Sequence, residues 1–335
     1  MIMTTPENIT IIGDGAMGTV CSLILAQKEC PVRLWGYSAQ QIVGFAAAGE
    51  NTRFLPGFKF PPGVKLTAGD AEAFAGASLV ISAIPCKFLR GVWTRLKPHL
   101  PAENLPILSV TKGIENETLA RPTEIIAAVT GPRPIAAFSG PNIAEELARG
   151  LPATSTVASA DQTLAARVQR LFSTGWFRIY TNSDLIGVEL AGATKNVIAI
   201  AGGILDGLRA GDNAKAALLT RGLVEITRLG TALGASPETF TGLSGMGDLI
   251  TTCYSPVGRN RSFGQAVGAG ASVAQALAAI PGEVEGVNTC RSVVALARRE
   301  KVEMPITEGI YQILFEAKPV ARTIQELMSR RLKSE

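Results

Sequence analysis

Short apolar runs rich in β-branched residues alternate with longer segments of helical spacing over the first half of the chain. The runs are ITIIG, VRLWG, VKLTA, LVISAIP, PILSV, PIAAFSG and ATSTVAS, and stretches such as SAQQIVGFAAAG separate them. Alternation of this kind is typical of βαβ units, in which helices cover both faces of a parallel sheet. The pattern predicts an α/β domain over residues 1–182, with a doubly wound, mostly parallel sheet.

The pattern changes after Asn182. The β-branched runs disappear, and long segments with apolar residues at helical spacing follow. Residues that favour helix starts precede three of these segments: the cluster Asn182 to Asp184, then Asp212, then Ser236 before a proline. Residues 183–335 are therefore predicted to form an all-α domain.

Composition fits a two-domain globular protein. The chain has 335 residues, of which 47% are hydrophobic and 18% charged, unlike disordered or coiled-coil chains. The net charge of +4 comes without a basic stripe, so nucleic-acid binding is not expected. The N-terminus lacks a basic signal region and the apolar runs are shorter than about 18 residues, so we expect a cytoplasmic protein without a membrane span.

Cysteine and histidine usage narrows the chemistry. The five cysteines are far apart, odd in number and without a C-x-x-C pair, which argues against a disulfide framework and against a zinc site. We expect reduced thiols and no bound metal. The single histidine, His99, lies in a polar loop between prolines, so the acid–base group of an enzyme would be another residue type.

A glycine-rich motif stands between the first predicted strand and the helix that follows it. Gly13, Gly15 and Gly18 have G-x-G-x-x-G spacing within ITIIGDGAMGTVCSLILAQ. The first glycine permits a tight turn, the second lets a pyrophosphate approach the backbone, and the third lets helix and strand pack closely. The helix N-terminus then offers N–H donors to the phosphates. The motif predicts a dinucleotide-binding Rossmann domain.

The residue that reads the adenosine ribose is expected about 20 residues after this motif, at the end of the second strand. No Asp or Glu occurs between Cys30 and Gly49, so no carboxylate from that segment would repel a 2′-phosphate. This favours NADPH as the cofactor, with NADH as the alternative, and Arg33 is the nearest cation. Asp14, inside the glycine motif, would repel the pyrophosphate unless its side chain turns away.

Lys195 is the candidate acid–base residue. Helical spacing places it on one stripe with small and apolar neighbours, and enclosure of a lysine ammonium lowers its pKa toward the range in which proton transfer is efficient. In the competing interpretation the side chain snorkels to solvent or to a carboxylate. Glycines at 192, 202 and 203 indicate close approach by another group. The carboxylate partner stays open between Glu189 and Asp248.

Other segments place polar groups where a ligand could bind. Lys112 follows a strand end, where ligands of open α/β sheets bind, and Gly140 and Asn142 stand at the next strand-to-helix turn. Arg259 and Asn260 suit a phosphate, because guanidinium groups pair with phosphate oxygens in a fork and the amide adds a neutral donor. A solvated basic loop is the alternative.

Motifs along nearly the whole chain resemble the bacterial NAD(P)-dependent sn-glycerol-3-phosphate dehydrogenases. In the order and spacing of that family stand GDGAMGT, NTRFLPG, TKGIE, SGPNIAEELARGLP, GATKNVIAIAGGILDG, NAKAALLTRGL, GLSGMGDLITTC, GRNRSFG and MPITEGIY. The resemblance implies a Rossmann domain followed by an all-α domain. It also implies reversible hydride transfer between dihydroxyacetone phosphate and sn-glycerol 3-phosphate, and a role in supplying the phospholipid backbone.

The resemblance also assigns residues by position, with Lys195 as the implied proton donor or acceptor. Beyond the motif glycines, the implied cofactor positions are Ala16, Met17, Tyr37, Lys112, Ala144, Arg259, Glu283 and Glu285. The implied substrate positions are Lys112, Gly140, Asn142, Lys195, Asp248, Gly258, Arg259 and Asn260. The chain departs from the family at Asp14, Met17 and Gly258, where a small residue, an aromatic residue and a serine are frequent.

Two other functions fit the same two-domain plan. A hydroxyacid or ketopantoate-type reductase would need a carboxylate-binding site in place of a phosphate-binding site. A catalytically silent NAD(P)-binding regulator would bind the cofactor without oxidising it. The sequence does not fix the oligomeric state, for which a homodimer is a candidate.

Overall fold

The computed structural model describes residues 7–101 and 104–332, and the chain divides into two compact units. The first comprises the chain up to Lys112 together with Arg121–Leu185, and the second comprises Gly113–Ala120 together with the chain from Ile186 onward. Residues 113–120, which the sequence pattern placed in the first domain, therefore belong to the second unit. The hydroxyl of Ser292 anchors them by donating to the carbonyl of Ile114 (3.0 Å).

The first unit is built on one eight-stranded sheet of order β3-β2-β1-β4-β5-β6-β7-β8. The strands are β1 Ile9–Ile12, β2 Val32–Trp35, β3 Val64–Thr67, β4 Leu79–Ser82, β5 Ile107–Ser109, β6 Ile135–Ser139, β7 Ala153–Ala158 and β8 Phe177–Asn182. Neighbouring strands run parallel except β6 and β7, which are antiparallel. The predicted mostly parallel α/β sheet is confirmed.

The eighth strand was not among the seven predicted from the apolar runs. It lies at the edge of the sheet, where it pairs with β7. Phe177 and Ile179 are buried, whereas Arg178 and Tyr180 between them are exposed. Because one face of this edge strand meets solvent, its sequence shows alternation instead of the continuous apolar run of a central strand.

Helices cover the sheet of the first unit. They are α1 Ala16–Gln27, α2 Ala39–Ala48, α3 Asp70–Ala73, α4 Cys86–Leu96, α5 Pro122–Thr130, α6 Ala144–Ala148 and α7 Gln162–Phe172. The central strands β1 and β4 are buried along their whole length, as expected for parallel strands covered on both faces. This places the carboxyl ends of β1, β4, β5 and β6 side by side at one edge of the sheet.

The regular elements of the second unit are helices throughout its described residues, as the sequence predicted. They are α8 Leu185–Gly207, α9 Asp212–Ala232, α10 Pro237–Thr241, α11 Asp248–Tyr254, α12 Arg259–Gly268, α13 Val273–Ala279, α14 Glu285–Arg299, α15 Pro305–Phe315 and α16 Val320–Met328, with a turn of π-helix at Leu243–Gly247. Asp212 was predicted to cap α9. It is instead the first helical residue, and Gly211, at φ +85°, is the N-cap.

Helix α8 is the centre of the second core. It is long and apolar enough to cross a membrane, but 89% of its most apolar window is buried inside the structure. Its apolar surface is therefore used for packing against the surrounding helices. The helix starts where the backbone N–H of Asp184 donates to the side-chain oxygen of Asn182 (2.7 Å), within the cluster predicted to cap it.

Glycines let α8 and α12 touch along their backbones. A Cβ on Gly203 or Gly207 would collide with carbonyl oxygens of α12, at Arg261 and Gln265 respectively. A Cβ on Gly264 or Gly268 would collide in the same way with carbonyl oxygens of α8. Because both helices use glycine at the crossing, α12 is held against the C-terminal half of α8, the helix that also carries the candidate catalytic lysine.

Candidate active site

The glycine loop after β1 makes a tight turn and leaves open space at the start of α1. Gly13 adopts φ +116°, and a Cβ there would lie 2.6 Å from the carbonyl oxygen of Ala83. A Cβ on Gly18 would strike the carbonyl of Gly13. Gly15, by contrast, faces open space and is the N-cap of α1 without a side-chain cap. The first-turn N–H groups of α1 therefore point into room that phosphate oxygens could occupy.

Asp14 turns its carboxylate toward the end of β2. Its Oδ2 accepts a hydrogen bond from the side-chain amide of Gln41 (2.6 Å), and Gln41 in turn accepts from Arg53 (2.8 Å). Burial raises the pKa of the Asp14 carboxyl, while the Gln41 hydrogen bond and the Arg53 charge oppose that rise. The repulsion expected between this carboxylate and a pyrophosphate is thus relieved by its orientation.

The remaining predicted cofactor positions of the first unit lie at the carboxyl edge of the sheet or beside it. Ala16 and Ala144 begin α1 and α6, and Met17 packs partly against the core. Tyr37, just beyond β2, is 64% exposed, and the guanidinium of Arg95 lies 4.9 Å from its ring centroid. An exposed aromatic ring beside a cation offers a flat surface on which an adenine could stack.

Lys112 and Gly140 are brought together at neighbouring strand ends. The ammonium of Lys112, just after β5, donates to the carbonyl of Gly140, just after β6 (3.1 Å). Gly140 adopts φ +148°, and a Cβ there would lie 2.8 Å from Ser155 Oγ. The same serine hydroxyl accepts from the amide of Asn142 (3.1 Å). The other end of that amide, Asn142 Oδ1, is buried without a hydrogen-bond partner among the described residues.

In the second unit, Lys195 is enclosed instead of snorkelling to solvent. Lys195 is 6% exposed. Its Nζ donates to Oδ1 of Asp248 at 2.6 Å and to the hydroxyl of Thr252. Asp248 is 1% exposed. The carboxylate partner left open between two candidates is thus supplied by Asp248. Both α8 and α11 contribute to this buried ion pair, which fixes the direction in which the ammonium points.

Arg259 and Asn260 begin α12, directly after the N-cap Gly258. Asn260 Oδ1 accepts from the backbone N–H of Gly286 (2.9 Å), and Arg259 Nη1 lies 3.2 Å from the position of a Cβ on Gly282. The helix start therefore stands against the segment that leads into α14. A cation, an amide and a helix N-terminus together form an anion-binding arrangement.

Arg261 has a different task from its neighbours. Its Nε donates to Asp206 (2.6 Å), and the buried ammonium of Lys215 donates to the same carboxylate (2.8 Å). Burial alone would raise the pKa of Asp206, but the bonds from Lys215 and Arg261 outweigh it and lower that pKa. Arg261 thus holds α12 in place and belongs to an internal ion-pair cluster.

Two further predicted cofactor positions, Glu283 and Glu285, lie at the start of α14 or just before it. Glu285 is the first residue of α14, and the carboxylate of Glu283 accepts from Asn288 (2.6 Å). No group of three or more His, Cys, Asp or Glu side chains is placed to hold a metal ion in the part of the chain that the structure describes.

Sequence reasoning missed three residues that the structure adds to these groups. Thr252 contacts the lysine ammonium, Ser155 orients Asn142, and Gln41 holds Asp14. Thr252 lies four residues after Asp248, so helical spacing places both on the same face of α11. That signal was available in the sequence, whereas the partners of Ser155 and Gln41 are set by contacts distant along the chain.

Comparison with known proteins gives one family for both units. The model described as the N-terminus of NAD-dependent glycerol-3-phosphate dehydrogenase matches residues 8–165, and the model of the C-terminus of the same enzyme matches residues 184–325. Together they span most of the described chain.

Individual relatives agree over the full length. A glycerol-3-phosphate dehydrogenase [NAD(P)+] of Geobacter sp. (strain M21) is 46% identical, over 98% of this chain and 99% of the relative. Its counterpart in Streptomyces griseus is 43% identical, over 99% of each. The crystal structure of glycerol-3-phosphate dehydrogenase from Coxiella burnetii is similar with a TM-score of 0.93 at 38% identity, covering 97% of this chain and 99% of the other.

Proposed function

The chain belongs to the NAD-dependent glycerol-3-phosphate dehydrogenase family, and from that premise we propose that it interconverts dihydroxyacetone phosphate and sn-glycerol 3-phosphate with NAD(P)H. In this role it supplies glycerol 3-phosphate for phospholipid synthesis. The observation that carries the proposal is the match of this one family to both units, residues 8–165 and 184–325. The geometry within each unit then supports particular roles for its residues.

Residues of the first unit fit the nicotinamide cofactor. Gly13, Gly15 and Gly18 would hold the pyrophosphate against the start of α1, with Ala16 and Met17 in its first turn. Tyr37 would stack on the adenine. Lys112, which follows β5, and Ala144, the first residue of α6, are the other proposed cofactor positions of this unit. When bound, the cofactor supplies the hydride that reduces the ketone carbon of the substrate.

Lys195 serves as the general acid in the reducing direction. Negative charge develops on the ketone oxygen as the carbon is reduced, and a positioned ammonium stabilises that charge and then donates its proton to the oxygen. Asp248, bonded to the ammonium at 2.6 Å, fixes its orientation. In the oxidising direction the neutral amine takes up the proton of the substrate hydroxyl.

Arg259 and Asn260 grip the phosphate of the substrate. Binding energy from this non-reacting group can be used to orient the reacting carbonyl. Asn142, with a buried oxygen lacking a hydrogen-bond partner among the described residues, accepts a substrate hydroxyl, and Lys112 adds positive charge. Gly258 cannot supply the hydroxyl of the serine frequent at this position, so the backbone and Arg259 carry the contact.

The proposed activity is tested by following the oxidation of NADPH and of NADH on addition of dihydroxyacetone phosphate. We expect turnover with the phosphorylated ketone and little with dihydroxyacetone, ketopantoate or simple 2-oxo acids. A preference for the acids would indicate the hydroxyacid or ketopantoate type of reductase. Cofactor binding without oxidation on any of these substrates would indicate a regulator, and either result contradicts the proposal.

Replacing Arg259 with alanine should raise KM for dihydroxyacetone phosphate about tenfold to hundredfold, because a charge-assisted hydrogen bond contributes roughly 1.5–3 kcal/mol. Steady-state kinetics would measure this. The weak reduction of unphosphorylated dihydroxyacetone should change much less. Arg298→Ala is a matched control, because that exposed guanidinium pairs with Glu308 at the surface of the same unit; an equal KM change there would remove the specific role of Arg259.

We further propose that the protein works in the cytoplasm. All five cysteines are present as thiols, and burial raises the pKa of Cys21, Cys253 and Cys290 to about 12, which keeps them protonated. Reduced, buried thiols suit a reducing compartment.

We also propose that the protein forms a homodimer, which light scattering would test.

A further inference from the structure

The carboxylate of Asp14 occupies the space beside the end of β2. Gly36 directly follows this strand, and a Cβ built on Gly36 would lie 2.6 Å from Asp14 Oδ2. A side chain at residue 36 would therefore point into space that the Asp14 carboxylate shares with the side chain of Ile42, whose Cδ1 lies 2.5 Å from the same position. Asp14 reaches it from the glycine loop, 22 positions earlier in the sequence.

This place matters for the choice of cofactor. In dinucleotide-binding sheets the residue at the end of the second strand reads the adenosine ribose: a carboxylate there accepts from the 2′-hydroxyl, and it repels a 2′-phosphate. The sequence segment from Cys30 to Gly49 contains no acidic residue, which favoured NADPH. That reasoning counted the carboxylates of the segment itself, whereas the fold brings one in from the loop after β1.

The Asp14 carboxylate is held in place and still has capacity to bind. Gln41 donates to Oδ2 (2.6 Å), and Asn51 donates to the backbone carbonyl of Asp14 (2.8 Å). A carboxylate offers about four acceptor sites, of which Gln41 and the backbone N–H of Asp14 itself use two. Arg33, the cation nearest in sequence, donates instead to the carbonyl of Ala75 (2.9 Å), so that contact directs it away from a role in binding a 2′-phosphate.

We propose that Asp14 is the cofactor-specificity residue of this protein: it accepts a hydrogen bond from the 2′-hydroxyl of the adenosine ribose, disfavours a 2′-phosphate, and makes NADH the preferred cofactor. The proposal rests on the proposed dehydrogenase function, since it concerns the same cofactor site. It reverses the preference that the sequence favoured.

The test measures dissociation constants of NADH and NADPH by nucleotide fluorescence, without the ketone substrate, and then kcat/KM for both with dihydroxyacetone phosphate. The wild-type protein should bind NADH at least about tenfold more tightly than NADPH. Asp14→Asn keeps the shape and removes the charge, and it should shift the ratio of the two constants toward NADPH by about tenfold or more. Asp14→Ala should shift it in the same direction.

Glu50→Gln is the matched control, because it removes the same charge from a carboxylate that pairs with Lys59 (3.1 Å) nearby in the first unit. It should leave the ratio within about twofold, since the ammonium of Lys59 already balances the Glu50 charge. Equal or tighter NADPH binding by the wild type would overturn the proposal even if the variants do not fold. So would an Asp14→Asn protein that binds both cofactors more weakly by the same factor, the result expected if Asp14 only holds Gln41.

The two readouts separate this proposal from the proposed function. If the wild type binds NADH more tightly than NADPH and the Asp14 variants shift that ratio, but dihydroxyacetone phosphate is not turned over, the role of Asp14 is supported and the proposed reaction is contradicted. Turnover of dihydroxyacetone phosphate with an unchanged ratio of NADH to NADPH dissociation constants in the Asp14 variants would support the proposed reaction and contradict the role of Asp14.

Discussion

Lys195→Met is expected to lower kcat for reduction of dihydroxyacetone phosphate by about 10⁴-fold or more, while cofactor binding by the first unit persists. Loss of a general acid costs about 10²–10⁴-fold, and loss of a positioned donor to a developing oxyanion costs about 10²–10³-fold. In the proposed mechanism the ammonium of Lys195 provides both effects, so a single substitution removes them together. Stopped-flow or steady-state assays with NADH and NADPH would measure the loss.

The substitution also leaves Asp248 buried without its cation, so stability must be measured with activity. Removing one partner of a buried ion pair costs about 3–5 kcal/mol. Lys215→Met is a matched control, because Lys215 is also a buried lysine paired with an aspartate, Asp206, in the second unit. We expect thermal melting to show destabilisation of both variants, smaller in Lys215→Met because Asp206 keeps its bond from Arg261, with substantial turnover kept only in Lys215→Met. Near-normal kcat in Lys195→Met would remove it from the mechanism.

Gly264→Ala and Gly203→Ala are expected to destabilise the second unit by about 3 kcal/mol or more, at the upper end of overpacking substitutions. A Cβ at either position would collide with a backbone carbonyl of the facing helix, at Ile200 or Arg261. Backbone cannot move aside as a flexible side chain can, so the two helices must separate. Chemical denaturation would measure the change in the free energy of unfolding.

Activity should fall with the same substitutions, because α12 carries Arg259 and Asn260 and α8 carries Lys195. Separating the helices changes the distance between the proposed phosphate-binding residues and the proposed acid–base residue. Gly202→Ala, one residue away in α8, is the control: its Cβ would meet Cys253 Sγ at 3.5 Å, an ordinary contact, and alanine favours helix by up to about 1 kcal/mol over glycine. If this variant were destabilised as strongly as Gly203→Ala, the close crossing would not be the cause.

The sequence predicted the elements best where local pattern and burial agree. Apolar runs gave the central strands, and the glycine spacing gave the turn between β1 and α1. The edge strand β8 was not predicted, because exposed Arg178 and Tyr180 interrupt its apolar residues. The assignment of residues 113–120 to the second unit was not predicted, because Ser292, which anchors them, lies far along the chain.

For the site, residue types and spacing identified Lys195, Arg259 and Asn260 as candidates for proton transfer and phosphate binding. Spacing could not choose between Glu189 and Asp248. Glu189 lies in the same helix as the lysine, whereas Asp248 begins a helix distant in sequence, and either could supply the carboxylate. The fold chose Asp248 by packing α11 against α8. The fold also gives Arg261 a different role from Arg259, because Arg261 donates to an internal carboxylate, Asp206.

The amino-acid sequence by itself thus determined the two-part architecture, the dinucleotide turn and the chemical types available for catalysis, because periodicity, glycine and charge act locally. The tertiary structure decided which groups meet. The clearest case is Asp14: the sequence placed it in the phosphate loop and left the ribose end of β2 without a carboxylate, whereas folding carries its Oδ2 to Gly36. A contact between residues distant in sequence depends on strand order and loop conformation, and these become fixed only when the sheet is assembled.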